Sequence, residues 1–204
     1  MLARIVCVVV GYLFGCLLTA ELVSRRAAGK SAFDLGDGNP GMANIGRELG
    51  TPAALVCLAG DILKTLVPVL IMSRVFPQLG WLTSTSLTGL GATLGHIFPF
   101  WHGFRGGKGV ATIASTIILI NPFWGILTAV IGAVSIVVTG YLSAAAVVGM
   151  VFYTIASMFF GAPEPTIVSL VFLALTVYAH WSKLRGIFNG TTERAGLAKK
   201  FRRR

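Results

Sequence analysis

Apolar stretches of about 20 residues recur along the whole chain, and they restrict its fold more than any other feature. Hydrophobic residues make up 55% of the 204 residues, and charged residues only 12%. A soluble domain of this size has too little interior to bury so many apolar side chains, and a disordered chain needs low hydrophobicity. The apolar runs are long and lack strand-like alternation. The sequence therefore predicts an all-α integral membrane protein and not a β-barrel.

The sequence predicts seven transmembrane helices in a single membrane domain that covers residues 1–204. The spans are placed at about 4–23, 51–73, 80–100, 109–120, 122–140, 141–160 and 166–181, followed by a basic tail at 183–204. The stretch at 109–120 is short for a crossing. If it does not cross, the two chain ends lie on the same side. The first apolar run continues past Cys16, which favours a retained span over a cleaved signal peptide.

The distribution of positive charge predicts the orientation of these spans. The net charge is +10, and 14 of the 17 lysines and arginines fall after span 1, after span 3 or after span 7. Lysine and arginine concentrate on the cytoplasmic side of membrane proteins, so we expect the N-terminus outside and the C-terminus in the cytoplasm. The basic tail is interpreted as an orientation signal that also attracts anionic lipid of the bilayer. No basic module is interleaved with aromatic residues, and no nucleic-acid partner is expected.

A glycine-rich segment between spans 1 and 2 is the first candidate for a ligand site. Glycines allow positive φ, so that backbone N–H groups can converge on an anion, and an arginine can bind the same anion through two hydrogen bonds. A flexible linker explains the composition equally well. The candidate residues of this segment are Gly36, Asp37, Gly38, Asn39, Gly41, Asn44 and Arg47.

A second glycine-rich segment follows span 3 and has the composition of a phosphate site. The run Arg105-Gly106-Gly107-Lys108-Gly109 opens the next predicted helix, where unpaired N–H groups and the positive helix end favour an anion. The run is not a P-loop, because it lacks the Gly-x-x-x-x-Gly-Lys-Ser/Thr pattern and no strand precedes it. Two such loops with basic residues on the same predicted face are stronger evidence for an anion site than either loop alone.

Charged residues inside or near the spans are the next candidates. Asp61 and Lys64 are three residues apart in span 2, and we expect them to pair, because unpaired charges inside a membrane are costly. A pathway role or support of the site is the alternative. Glu21, near the end of span 1, either pairs with Arg25, four residues later, or faces the site.

Histidines and cysteines are few in this chain. His96, beside the second glycine-rich segment, is read equally well as a catalytic or as a packed residue, and His180 lies at the predicted cytoplasmic end of span 7. Cys7, Cys16 and Cys57 lie in apolar stretches, with the spacing of neither a disulfide framework nor a metal site. No metal and no cofactor are expected.

These segments resemble the motifs of the bacterial acyl-phosphate-dependent glycerol-3-phosphate acyltransferases, the PlsY family. Gly38-Asn39-Pro40-Gly41-x-x-Asn44 resembles the first motif of this family. Gly95-His96-x-x-Pro99, followed by Gly-Phe-Arg-Gly-Gly-Lys-Gly-Val-Ala-Thr at 103–112, closely resembles the second. Asp61-x-x-Lys64 and Glu21 also look like residues of the family, and the resemblance covers essentially the whole chain.

The resemblance implies a multi-pass enzyme of the bacterial inner membrane whose active site faces the cytoplasm. It implies transfer of a fatty acyl group from acyl phosphate to the sn-1 hydroxyl of glycerol 3-phosphate, giving lysophosphatidic acid and phosphate for phospholipid synthesis. Catalytic roles are then expected for Asn44, Arg47, His96 and Lys108, with His96 orienting or deprotonating the acceptor hydroxyl. The remaining loop residues, His180 and Lys183 are expected to bind substrate. Glu21, Asp61 and Lys64 are expected to support the site.

Three positions depart from the pattern of the family. Asp37 and Ala43 stand where serine and threonine are usual, and Lys183 stands where the third motif, His-x-x-Asn, has asparagine. A carboxylate in a phosphate loop repels the ligand unless Arg47, Lys183 or a cation pairs with it. The alternatives are therefore a divergent relative with another acceptor or no activity, or a small anion transporter. A transporter predicts an internal repeat, and none is evident.

Overall fold

Helices account for all regular secondary structure in the part of the chain that the computed structural model describes, residues 1–160, 162–192 and 194. The α-helices are α1 (Leu2–Gly15), α2 (Thr19–Ala28), α3 (Met42–Leu49), α4 (Thr51–Val75), α5 (Gly80–Ile97), α6 (Val110–Ile120), α7 (Pro122–Thr139), α8 (Leu142–Ser157) and α9 (Pro163–Phe188). Short 3-10 helices lie at Ala32–Asp34, Pro77–Leu79 and Phe100–His102. The predicted all-α architecture is confirmed for the described residues.

Four helical stretches in these residues have the length and hydropathy of a membrane span: Leu2–Ala28, Thr51–Val75, Pro122–Thr139 and Pro163–Phe188. Helices α6 and α8 are apolar but shorter. At 1.5 Å per residue, the 11 residues of α6 extend about 16 Å, roughly half of the hydrocarbon thickness. The number of crossings and their orientation stay predictions.

Two of the expected spans differ in detail from the helices. The span expected at 4–23 consists of two helices, because α1 ends at Gly15 and α2 begins at Thr19. The last helix continues to Phe188, so the first residues of the expected basic tail are helical. Residues 193 and 195–204 of that tail lie outside the described residues.

Contacts within the chain define two compact units, Met1–Thr116 and Ile117–Arg204, with the boundary inside α6. In the second unit, α8 packs against both α7 and α9. Ser157 and Ser169 join α8 to α9 through a hydrogen bond of 2.9 Å between their hydroxyls. Both glycine-rich segments belong to the first unit.

In the first unit, glycines allow α1 and α5 to pack at very short distance. Gly11 and Gly15 on α1 and Gly91 and Gly95 on α5 lie in this contact, where a Cβ at any of the four would overlap backbone atoms of the opposite segment. The spacing of four residues places each pair on one helical face, and such faces drive helix association in membranes. The packing brings Gly95, the residue before His96, next to Gly15 and Cys16 at the end of α1.

Candidate active site

The break between α1 and α2 is the point at which the neighbouring elements are attached. A helix break leaves carbonyl oxygens without amide partners, and in a buried place these need other donors. Trp101 Nε1–H donates to the Cys16 oxygen at 2.8 Å, and Lys64 Nζ donates to the Leu17 oxygen at 3.0 Å. The break therefore attaches both α4 and the segment after α5.

Asp61, Lys64 and His96 form a buried polar cluster, with side chains only 5%, 3% and 4% exposed. Lys64 Nζ lies 2.8 Å from Asp61 Oδ1 and 2.7 Å from His96 Nδ1. His96 Nδ1 lies 3.6 Å from Asp61 Oδ1. The predicted pairing of Asp61 with Lys64 is confirmed, and it compensates the burial of both charges.

The second glycine-rich segment, here called the second loop (residues 103–109), rests on His96. Gly107 N–H donates to the His96 backbone oxygen at 2.9 Å. A Cβ at position 107 would overlap Nε2 of the His96 ring, and a Cβ at Gly106 would overlap the His96 carbonyl oxygen. Glycine is therefore required at both positions by the closeness of His96. Arg105 is exposed and Lys108 is half-buried in the same loop.

The first loop (residues 36–41) is folded around the amide of Asn44. This side chain is fully buried. Its Oδ1 accepts the Asp37 N–H at 3.0 Å, and its Nδ2 donates to the Leu35 oxygen at 2.8 Å. Because both ends of the amide bind backbone groups at residues 35 and 37, Asn44 fixes the shape of the first loop.

Asp37 pairs with Arg47, one of the three partners considered for it. Arg47 Nη2 donates to Asp37 Oδ2 at 2.9 Å, and Asn39 N–H donates to Asp37 Oδ1 at 3.2 Å. The carboxylate thus occupies the guanidinium that was expected to bind an anion. This pair lies near the surface, because the Arg47 side chain is 55% exposed and that of Asp37 31%.

Ring stacking joins the segments that lead into the two loops. Phe33 stacks on His102 with ring centroids 3.7 Å apart and planes inclined by 13°. Glu21 supports the start of the 3-10 helix that carries Phe33, because its carboxylate accepts hydrogen bonds from Ser31 Oγ–H and Ala32 N–H, both at 2.8 Å. The same carboxylate also pairs with Arg25. Of the two expectations for Glu21, the pairing with Arg25 is the one found.

Three aromatic residues that hold this region were not among the candidates from the sequence. Tyr12 O–H donates to the Phe98 oxygen at 2.8 Å, Trp101 binds the helix break, and Phe33 stacks on His102. Their partners lie far away in the chain, so local patterns do not reveal these contacts. The one sequence signal is the indole of Trp101 beside the second glycine-rich segment.

The remaining candidates lie in the second unit, on α9. His180 is buried, and its Nδ1 lies 3.0 Å from the Thr176 oxygen. Lys183 is exposed. Their roles at the site stay predictions.

A family model described as glycerol-3-phosphate acyltransferase matches residues 5–190. This chain belongs to that family. A glycerol-3-phosphate acyltransferase of Clostridioides difficile (strain 630) is 33% identical over 199 residues, which is 96% of this chain and 97% of the relative. The glycerol-3-phosphate acyltransferase of Thermoanaerobacter sp. (strain X514) is 30% identical over 189 residues, which is 92% and 93% of the two chains.

Two crystal structures of PlsY (YgiH), an integral membrane glycerol 3-phosphate acyltransferase, resemble this acyltransferase along their length. The glycerol 3-phosphate form has a TM-score of 0.85 at 26% identity and covers 97% of this chain and 98% of its own. The lysophosphatidic acid form has a TM-score of 0.83 at 26% identity, with coverage of 95% and 96%. With its apolar helices, the chain is thus a multi-pass integral membrane acyltransferase of lipid biosynthesis, and the resemblance found in the motifs is confirmed.

Proposed function

We propose that this protein transfers a fatty acyl group from acyl phosphate to the sn-1 hydroxyl of glycerol 3-phosphate. The observation that carries the proposal is the pair of glycine-rich loops with basic residues, whose leading segments are joined by the Phe33–His102 stack. Both substrates carry phosphate, and two glycine-rich loops with basic residues would suit two phosphate groups. The family and the glycerol 3-phosphate form of the related crystal structure support the acceptor.

The second loop is the stronger candidate for a phosphate site. It leads directly into the N-terminus of α6 at Val110, where the helix dipole and the first N–H groups of the helix favour an anion. Arg105 and Lys108 add two positive charges beside it. Their cationic groups would stabilise charge on the transferred or released phosphate.

The reaction needs little more than positioning and charge stabilisation. The acceptor oxygen forms a bond to the acyl carbonyl carbon, the bond from that carbon to the phosphate oxygen breaks, and the hydroxyl proton ends on the released phosphate. Phosphate is already a good leaving group, so alignment of the two substrates and neutralisation of their charge supply much of the rate. Arg47 and the first loop would hold the second phosphate, and Asn44 would act by shaping that loop.

The active site is proposed to face the cytoplasm of a bacterial inner membrane. Fourteen of the 17 basic residues fall in the two loop-bearing segments and the tail, and these segments are the cytoplasmic ones by the positive-inside rule. Apolar flanking helices would give the acyl chain access from the bilayer.

The experiment is an assay of the purified protein in lipid, with palmitoyl phosphate as donor, with and without glycerol 3-phosphate. Phosphate release that depends on the acceptor, together with lysophosphatidic acid identified by mass spectrometry, is the expected result. Palmitoyl-CoA in place of palmitoyl phosphate tests the donor. Lys108→Ala and Arg47→Ala are expected to reduce turnover about 100-fold or more. Arg26→Ala, an exposed arginine outside both loops, is the matched control. Undiminished turnover in both loop variants would contradict the proposal.

A divergent relative with another phosphorylated acceptor is the second candidate. The observation that favours it is the Asp37–Arg47 pair, since this carboxylate competes with an anionic ligand for the guanidinium. Phosphate release with a different polyol phosphate, and none with glycerol 3-phosphate, would establish this candidate instead.

A further inference from the structure

Each of the three ammonium hydrogens of Lys64 has its own acceptor. The acceptors are the Leu17 oxygen at 3.0 Å, Asp61 Oδ1 at 2.8 Å and His96 Nδ1 at 2.7 Å. An ammonium group only donates hydrogen bonds. The Nδ1 atom of His96 therefore accepts one, so it carries no proton, and the proton of the neutral ring sits on Nε2.

The Nε2 edge of this ring is the one that meets the second loop. A Cβ at Gly107 would overlap Nε2, and Gly107 N–H donates to the backbone oxygen of the same histidine at 2.9 Å. The N–H group of the His96 ring thus lies on the edge nearest Gly107.

We infer that Lys64 is a positioning residue that holds His96 as the Nε2–H imidazole, with this N–H on the edge of the ring that faces Gly107 of the second loop. The positioning of His96 follows from contacts within the first unit alone. Lys64 and Asp61 thereby gain a role beyond neutralising each other inside the membrane.

The tautomer can be measured directly by NMR on protein labelled with 15N-histidine and reconstituted in lipid nanodiscs. The chain has three histidines, so spectra of His96→Gln and His102→Gln variants assign the signals. We expect His96 to carry its proton on Nε2 only. A proton on Nδ1, or on both nitrogens, would overturn the inference. This readout does not depend on acyl transfer, so it remains decisive even if the proposed function fails.

The role of Lys64 is tested by the double variant Asp61→Asn/Lys64→Met, which removes both charges and leaves no unpaired ion. We expect His96 to populate both tautomers once the ammonium donor is gone. An unchanged Nε2–H signal would show that Lys64 does not set the tautomer. A role of the pair in stability alone predicts a lower unfolding temperature with the tautomer preserved.

Discussion

Two carboxylate–cation pairs of nearly equal geometry stand beside the two loops, and their surroundings give them different tasks. The contact distances are 2.8 Å for Asp61–Lys64 and 2.9 Å for Asp37–Arg47. The first pair is at most 5% exposed, whereas Arg47 is 55% exposed. Removing one partner of a buried pair typically lowers the free energy of unfolding by about 3–5 kcal/mol. An exposed pair contributes about 0–1 kcal/mol to the same quantity. The buried pair therefore stabilises the fold, whereas either member of the exposed pair can bind another partner.

Lys64→Met is expected to have the largest effect on stability. It leaves the Asp61 carboxylate and the Leu17 oxygen buried without their cation. We expect a loss of about 3–5 kcal/mol in the free energy of unfolding. Denaturant unfolding in detergent micelles measures it, with exposed Lys30→Met as the matched control. A loss below about 1 kcal/mol would show that burial does not separate the two pairs.

Gly107→Ala tests how rigidly the buried cluster supports the second loop. The added methyl group overlaps the His96 ring, which Lys64 holds in place. We expect a stability loss of about 1–3 kcal/mol and a fall in turnover of about 100-fold, because the loop must shift. Gly132→Ala on α7 adds the same methyl group where the nearest atom is 3.9 Å away, and should change neither quantity. Full turnover in Gly107→Ala would mean that the loop moves freely over His96.

Trp101→Phe removes the other anchor at the break between α1 and α2 and keeps an aromatic ring. The Cys16 oxygen loses its donor, and we expect about 1 kcal/mol of destabilisation. Thermal unfolding compares it with Trp181→Phe, a change at an exposed indole. A loss as large as that of Lys64→Met would show that hydrogen bonding to the break, and not buried charge, dominates the first unit.

Asp37→Ser is expected to change stability least and substrate affinity most clearly. The variant releases the Arg47 guanidinium from its carboxylate. We expect the free energy of unfolding to change by less than about 1 kcal/mol. The KM for glycerol 3-phosphate should fall severalfold with kcat nearly unchanged. Initial rates at varied acceptor concentration measure both constants. A higher KM would mean that Asp37 helps to bind the acceptor.

The parts of the site that could be predicted depend on short separations along the chain. The Asp61–Lys64 and Glu21–Arg25 pairs follow from spacings of three and four residues on one helical face. The Asp37–Arg47 pair joins residues ten apart, one in the first loop and one on α3, and the sequence left it as one of three choices. The contact of Lys64 with His96 joins residues 32 apart on two different helices, and no local pattern indicates it.

The sequence by itself determined the membrane class of this protein, the approximate position of its helices, its two glycine-rich loops and its family. These depend on hydropathy, on local spacing and on motifs that lie within short segments. Only the tertiary structure decided the break at Leu17 and the approach of α1 to α5. These bring Lys64, His96 and Gly107 together, and through them the tautomer of His96. The physical reason is that a buried polar group takes whatever partner the packing brings within reach, and packing joins residues that are distant in the chain.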